Sequence, residues 1–198
     1  TDHTDDQSLD SLIIQHVKRG QYHNALSLHQ QFQQQQCHHH HHHHNQQHSL
    51  YFSEHTFLAL LKACANVKDL EKGLQIHGDI ARAGLIHTNV YIGSALIDMY
   101  AKCGSLARAK QVFDEIPCKN VVLWTTIITG YVENARGEEA LQFLDKMHFE
   151  GYAANFVTLI SSLKACTVIG SIQKGQEVHG EIEKKGFHVK EIAIGNAL

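Results

Sequence analysis

Proline, cysteine pairs and long apolar runs are scarce or missing in this sequence. Pro117 is the single proline among 198 residues, and its rarity favours a mostly helical chain because proline interrupts helices. No apolar run approaches the ~20 residues of a membrane span. No C-x-x-C occurs among the five cysteines, which argues against a disulfide framework and a cysteine-rich zinc site. Cys64, Cys103 and Cys166 fall in apolar helical stretches and are predicted to be buried free thiols.

An excess of positive charge is also missing, since the formal net charge is −3. A strongly basic nucleic-acid-binding domain has the opposite balance. If the chain binds nucleic acid, the binding is therefore expected to depend on contacts with bases and on a locally positive groove, and not on overall charge.

A long internal repeat dominates the rest of the sequence. Leu-Lys-Ala-Cys begins at Leu61 and again at Leu163, a shift of 102 residues. The same shift aligns further dipeptides without a gap: Lys-Gly at 72 and 174, His-Gly at 77 and 179, Ile-Gly at 92 and 194, and Ala-Leu at 95 and 197. So many matches at one spacing indicate a repeat protein.

The 102-residue repeat divides into three shorter blocks, and each block carries two amphipathic helical patterns. The blocks are residues 54–89, 90–120 and 121–155, with lengths of 36, 31 and 35 residues. Gly137 and the pair Gly104–Ser105 mark turns between paired helices, with Ser105 as a predicted N-cap. Because two short helices cannot cover their own apolar face, stacked helical hairpins are expected.

The motifs within these blocks resemble those of plant pentatricopeptide repeat (PPR) proteins. Short-repeat motifs lie at 94–104 and 109–117, standard-repeat motifs at 121–128 and 138–141, and long-repeat motifs at 61–64, 72–73 and 76–77. The unequal block lengths match the long, short and standard order of the PLS subclass. The resemblance covers residues 54–198.

The resemblance implies an all-α fold, a right-handed α-solenoid of stacked helix-turn-helix repeats. The predicted units are a degenerate standard-type repeat at 6–53, a long repeat at 54–89, a short repeat at 90–120, a standard repeat at 121–155, a long repeat at 156–191 and the start of a short repeat at 192–198. Tetratricopeptide repeats also form helical hairpins, but their constant length of about 34 residues does not fit these blocks.

A low-complexity tract interrupts the first predicted unit. Residues 33–48 contain four glutamines, Cys37, seven consecutive histidines and then Asn-Gln-Gln-His. The absence of apolar periodicity predicts a mobile loop. The flanking glutamines favour a genomic expansion over an expression tag. Seven histidines bind nickel or zinc weakly, but no physiological metal site is predicted here.

For this family the resemblance implies that each repeat reads one base of single-stranded RNA. The fifth and last residues of a repeat hydrogen-bond the base, and the second residue sandwiches it. By register the base-reading residues are Ser94 with Asn120, Thr125 with Asn155, and Asn196 in the truncated final repeat, and the sandwiching residues are Tyr91 and Val122. A hydroxyl paired with asparagine resembles the family's adenine combination, in which the hydroxyl donates to a ring nitrogen.

The other repeats offer weaker candidates. Leu58 and Ile160 stand at the fifth positions of the long repeats and cannot hydrogen-bond a base, so these repeats are expected to be spacers. Asp10 and Ser53 form the corresponding pair of the first repeat.

Several recurrent residues also have a plain structural interpretation. Asparagine closes three successive blocks, at 89, 120 and 155, and helix capping explains this as well as base reading does. His77 and His179 recur at one position and are interpreted as packing residues between repeats. Lys62, Lys102, Lys110 and Lys164 are candidates for phosphate contacts, although solvated charge is the default interpretation.

The predicted function is sequence-specific binding of single-stranded RNA, as the recognition part of an organellar RNA-processing factor, most often one for C-to-U editing. The expected partners are an organellar transcript and RNA-editing cofactor proteins, in a mitochondrion or chloroplast. No metal, cofactor, DNA or membrane partner is expected. Any deaminase-like domain would lie C-terminal to this chain, so the chain itself is not expected to be an enzyme. The alternatives are a protein-binding scaffold similar to tetratricopeptide arrays, and repeats that flank an unseen catalytic domain.

Overall fold

The structure is a computed structural model that describes residues 3–39, 52–86 and 88–186. These residues form ten α-helices and no strand. The helices are α1 His3–Lys18, α2 Tyr22–His39, α3 Glu54–Val67, α4 Leu70–Arg82, α5 Val90–Lys102, α6 Leu106–Glu115, α7 Val121–Glu133, α8 Gly137–Phe149, α9 Phe156–Ile169 and α10 Ile172–Lys184. The all-α prediction is therefore confirmed for the described part of the chain.

The chain divides into two compact units, residues 1–99 and residues 100–198, and the division falls within α5. In the first unit, α1 contacts α2, and α3 contacts α1, α2 and α4. In the second unit, α7 contacts α6, α8 and α9, and α9 also contacts α8 and α10. Within each unit, a hairpin covers the apolar face of the next hairpin, as stacking of short repeats requires.

Helix starts coincide with the sequence blocks. The helices α3, α5, α7 and α9 begin at the first residues of the four predicted blocks: Glu54, Val90, Val121 and Phe156. The first helix differs, since it begins at His3 and not at Asp6. Ser105 occupies the N-cap position of α6, but its side chain makes no capping hydrogen bond, so that part of the prediction is wrong. Gly137 is the first residue of α8 and does not belong to the preceding turn.

The prediction of a loop from Gln33 onward is also wrong for residues 33–39, because α2 continues through His39. Glutamine is a good helix former, so a helix that is already nucleated extends through a glutamine run without apolar periodicity. Residues 40–51, the rest of the tract, lie outside the described residues.

Aromatic side chains occupy the core of both units. In the first unit, Phe52 lies just before α3, and its ring centroid is 4.9 Å from that of Phe32 and 6.1 Å from that of Phe57. In the second unit, the buried Trp124 stacks edge-on against Phe113 at 4.7 Å. Full burial of such a side chain stabilises the fold by about 1.5–3 kcal/mol.

The cysteines largely behave as predicted. Cys64 and Cys166 are buried and form no disulfide, whereas Cys103 is half-buried. Burial raises the pKa of the Cys166 thiol, so it is a poor nucleophile. Within the part of the chain that the structure describes, none of the helices is both long and apolar enough to cross a bilayer.

Candidate nucleic-acid interface

Asparagine side chains cap the helices that begin repeats. Asn120 Oδ1 accepts a hydrogen bond from the Leu123 backbone N–H at 3.1 Å, and Asn155 Oδ1 accepts from the Thr158 N–H at 2.8 Å. Asn89 caps the first turn of α5 in the same way. The capping interpretation is therefore confirmed. It is compatible with base reading, because a cap uses Oδ1 and leaves the two Nδ2 hydrogens for another partner.

Thr125 and Asn155, the pair predicted for the standard repeat, are brought together through a third residue. The hydroxyl of Thr158 donates to Asn155 Oδ1 at 2.9 Å and lies 2.6 Å from Thr125 Oγ1. Thr158 is fully buried, Thr125 is half-buried and Asn155 is exposed. The two predicted side chains thus form one hydrogen-bonded cluster, which reaches the surface at Asn155.

The protons of this cluster can be assigned from its partners. An amide oxygen only accepts, so the single hydroxyl proton of Thr158 is used on Asn155. The proton in the Thr125–Thr158 contact then comes from Thr125, whose single hydroxyl proton is shared between Thr158 Oγ1 at 2.6 Å and the Val121 carbonyl at 2.7 Å. Thr125 therefore offers lone pairs to a ligand. The sequence analysis assigned this hydroxyl as a donor to the base. In this structure its proton is directed inward instead.

Exposed apolar side chains accompany this cluster. Val122, three residues before Thr125 on α7, is 45% exposed, and Val157, two residues after Asn155, is 56% exposed. Single exposed apolar residues are common on protein surfaces, so the recurrence in register is the informative point. Val157 was missed by the sequence analysis, although it stands second in its repeat, as Val122 does.

The short-repeat candidates are divided between the two units. Ser94 belongs to the first unit, is half-buried and donates its hydroxyl proton to the Tyr91 carbonyl at 3.3 Å. Tyr91, the predicted sandwiching residue, is 69% exposed. Asn120 belongs to the second unit, where it caps α7. Asn196 lies outside the described residues.

The weaker candidates of the first repeat also meet. The Ser53 backbone N–H donates to Asp10 Oδ2 at 3.2 Å, and Ser53 Oγ lies 2.9 Å from Thr56 Oγ1. Thr56 is buried and stands third in its long repeat, as Thr158 does. The fifth residues of the long repeats, Leu58 and Ile160, are half-buried.

Charged and metal-binding side chains add little to this surface. Lys110 is ion-paired with Asp114, whereas Lys62 and Lys164 are exposed. His179 is half-buried, and its Nδ1 lies 3.7 Å from a carboxylate oxygen of Glu183. Among residues 3–39, 52–86 and 88–186, no group of three histidine, cysteine or acidic side chains is arranged to hold a metal ion.

Two-helix repeats with capped, polar helix starts define an α-helical repeat protein. A family model described as the PPR repeat family matches residues 119–167, and one described as the PPR repeat matches residues 94–121. The chain belongs to the pentatricopeptide repeat family.

Relatives in Arabidopsis thaliana carry the same description. Two of them, both named pentatricopeptide repeat-containing proteins, are 40% identical to this chain over 146 residues. These matches cover 74% of the chain but only 21% and 20% of the two relatives, so the chain spans about a fifth of their length. Other relatives are named as chloroplastic or mitochondrial proteins.

Solved structures show the same fold. The pentatricopeptide repeat protein PPR10, in complex with an 18-nt psaJ RNA element, matches with a TM-score of 0.71 at 22% identity. The match covers 93% of this chain and 26% of PPR10. PPR10 from maize, in a further crystal structure, matches with a TM-score of 0.66 at 17% identity, covering 96% of this chain and 26% of the other. These likenesses confirm the predicted α-solenoid class.

Proposed function

We propose that this chain binds single-stranded RNA and reads one base per repeat. The observation that carries the proposal is the Thr125–Asn155 pair, held together at two neighbouring helix starts beside the exposed Val122 and Val157. A splayed base needs this combination, since its polar edge hydrogen-bonds side chains while its faces pack against apolar groups. The low net charge is consistent with a site that works by base contacts.

The shared fold is compatible with the same proposal. PPR10, which shares the fold, has been crystallised in complex with RNA. At 22% identity that likeness supports the fold, so the case for RNA binding by this chain depends on its own side chains.

The preferred base at the standard repeat is adenine. Adenine fits when its exocyclic amino group donates to Thr125 Oγ1 and its N1 accepts from Asn155 Nδ2. In the sequence register, Ser94 and Asn120 are the residues that correspond to Thr125 and Asn155 in the preceding repeat, so two consecutive adenines are the proposed target of these two repeats.

The wider role follows from the repeat order. The alternation of 36-, 31- and 35-residue blocks is that of the PLS subclass, so the chain serves as the recognition part of an organellar RNA-processing factor, with C-to-U editing the leading candidate. It supplies recognition and not chemistry. Relatives named as chloroplastic or mitochondrial support a site of action in one of these organelles.

A fluorescence anisotropy titration tests this function. Labelled single-stranded RNA with two central adenines is compared with the same RNA carrying two central uridines, with matching single-stranded DNA and with double-stranded RNA. We expect the adenine RNA to bind about tenfold more tightly than the uridine RNA. DNA should bind less well, because it lacks the 2′-hydroxyl. Equal affinity for all four probes, or no binding of RNA, would contradict the proposal and favour a protein-binding scaffold.

A further inference from the structure

The hydroxyl of Thr158 touches both members of the base-reading pair. It lies on α9, in the repeat that follows the one it serves, and stands outside the second, fifth and last positions of the predicted register. We propose that Thr158 is a positioning residue for base discrimination: it fixes Asn155 as a donor and Thr125 as an acceptor. This proposal rests on the proposed RNA-binding function.

The orientation of the Asn155 amide is fixed by two donors. Both the backbone N–H and the hydroxyl of Thr158 point at Oδ1, at 2.8 and 2.9 Å. A flipped amide would set Nδ2 against the backbone N–H of Thr158, which can only donate, so the oxygen must face α9 and the Nδ2 hydrogens must face away from it. Without the hydroxyl, the backbone N–H alone would hold the oxygen.

The orientation of the Thr125 hydroxyl depends on the same group. At 2.6 Å from Thr158 Oγ1, it has an internal acceptor in addition to the Val121 carbonyl. Both acceptors draw its proton inward, which leaves a lone pair for the base. Removing the Thr158 hydroxyl would leave the Val121 carbonyl to hold the Thr125 proton without that second acceptor, so the hydroxyl would be oriented less firmly and the preference for one base-edge polarity would weaken.

Part of this arrangement recurs at the other long repeat. Thr56 and Thr158 both stand third in a long repeat, 102 residues apart, and both are fully buried. Thr56 Oγ1 lies 2.9 Å from Ser53, which is hydrogen-bonded to Asp10 in the fifth position of the preceding repeat. Leu123, third in the standard repeat, has no hydroxyl. Asn120 Oδ1 accepts a hydrogen bond from the backbone N–H of Leu123. Each long repeat, predicted to be a spacer, therefore places a buried threonine hydroxyl against the last residue of the preceding repeat.

Three variants of this chain test the proposal. Thr158→Val removes the hydroxyl at nearly constant volume, and Thr158→Ser restores it. Ser161→Ala is the matched control, since Ser161 Oγ makes a 2.9 Å hydroxyl contact with Thr129 between the same two helices, about one turn beyond Thr158. Each variant is titrated with single-stranded RNAs that differ only in the base at the site, and its thermal unfolding is measured.

We expect Thr158→Val to reduce the affinity ratio between the best and the worst base by about threefold, which is the share of one position in the tenfold ratio expected for two. Thr158→Ser and Ser161→Ala should keep the parental ratio. A ratio unchanged in Thr158→Val, or reduced equally in Ser161→Ala, would overturn the positioning role while leaving RNA binding intact. If the parent chain binds none of the RNAs, the proposed function and this inference both fail.

Discussion

His29 Nε2 lies 3.1 Å from Asp79 Oδ2 in the interior of the first compact unit. The two residues are 50 positions apart, on α2 and α4, and both are buried. The Gln33 amide donates to the same carboxylate, and Arg82 forms an ion pair with it. A buried carboxylate needs such partners, because an unpaired charge in the interior is costly.

The pKa of Asp79 makes this cluster sensitive to acid. Burial by itself raises the pKa, but the hydrogen bonds and charges of His29 and Arg82 outweigh it and hold the pKa of Asp79 below its usual value. A carboxyl group whose folded pKa is depressed stabilises the fold above its unfolded pKa of about 3.9, and this contribution is lost as the pH falls through the folded pKa. We therefore expect the melting temperature to fall steeply below about pH 4.

Asp79→Asn should weaken that dependence. At neutral pH the variant should be less stable by about 2 kcal/mol, because it loses charged hydrogen bonds. Below about pH 4 the difference from the parent should shrink. Circular dichroism melts across the acid range measure both effects. Asp145→Asn is the control, since this exposed carboxylate pairs with Lys174 at the surface and is worth little. Parallel pH profiles for Asp79→Asn and the parent would refute the assignment.

The start of α8 tolerates no side chain at Gly137. A Cβ there would lie 2.7 Å from the backbone oxygen of Ala165 and 2.7 Å from Ile169 Cγ2, so α8 and α9 would have to separate. We expect Gly137→Ala to destabilise the chain by about 1–3 kcal/mol. In contrast, Gly180 lies within α10 with no heavy atom within 4 Å of its Cβ position. Gly180→Ala should stabilise the chain by about 0.5–1 kcal/mol.

Urea unfolding of the two glycine variants measures this contrast. Both substitutions add one methyl group to a helical glycine, so intrinsic helix propensity favours both equally. We therefore expect the two substitutions to change the free energy of unfolding in opposite directions, and packing alone accounts for this difference. Stabilisation by Gly137→Ala would show that α8 and α9 are not in close contact at this point.

The sequence alone predicted the features that recur along the chain. The 102-residue shift and the unequal blocks depend on order alone, and they placed Thr125 and Asn155 at two helix starts that the fold brings together. Thr158 could not be found in that way, because its role depends on a hydroxyl that reaches across to the preceding repeat. The recurrence of Thr56 and Thr158 was a signal for it, but a buried threonine in a helix has many ordinary explanations.

The Gln/His tract shows where composition misleads. Low complexity predicted a loop from Gln33, yet α2 continues through residue 39. A distant contact adds to the helix propensity of the glutamines, since the Gln33 amide is held by the buried Asp79 carboxylate, 46 residues away. Local sequence contains no trace of that contact, so periodicity alone placed the end of the helix too early.

Val157 is expected to pack against a bound base. Val157→Ser should weaken RNA binding about fivefold, at the low end of what a base contact is worth, because valine offers a smaller face than an aromatic ring. The residue is 56% exposed, so stability should change by less than about 0.5 kcal/mol.

Val168→Ser is the matched control for this prediction. Val168 lies on the same helix, is 48% exposed and is far along the chain from the helix start. The Val168→Ser variant should keep the parental RNA affinity in the anisotropy titration. An equal loss of affinity in both variants would indicate a nonspecific effect of surface polarity and not a base contact.

The double variant Thr125→Asn with Asn155→Asp should shift the preferred base from adenine to uridine. The Asn155→Asp change keeps the helix cap, because a carboxylate also accepts from the Thr158 N–H and hydroxyl. It replaces the outward N–H donors with an acceptor, which suits the N3–H of uridine and repels the N1 lone pair of adenine. Thr125→Asn supplies an amide donor for a uridine carbonyl.

The measurement is anisotropy with RNAs that carry adenine or uridine at this one position, and the affinity ratio should invert. The adjacent nucleotide, assigned by register to Ser94 and Asn120, serves as an internal control whose adenine preference should persist. A double variant that keeps the parental adenine preference at its own position would show that Thr125 and Asn155 cap and pack α7 and α9 without reading the base.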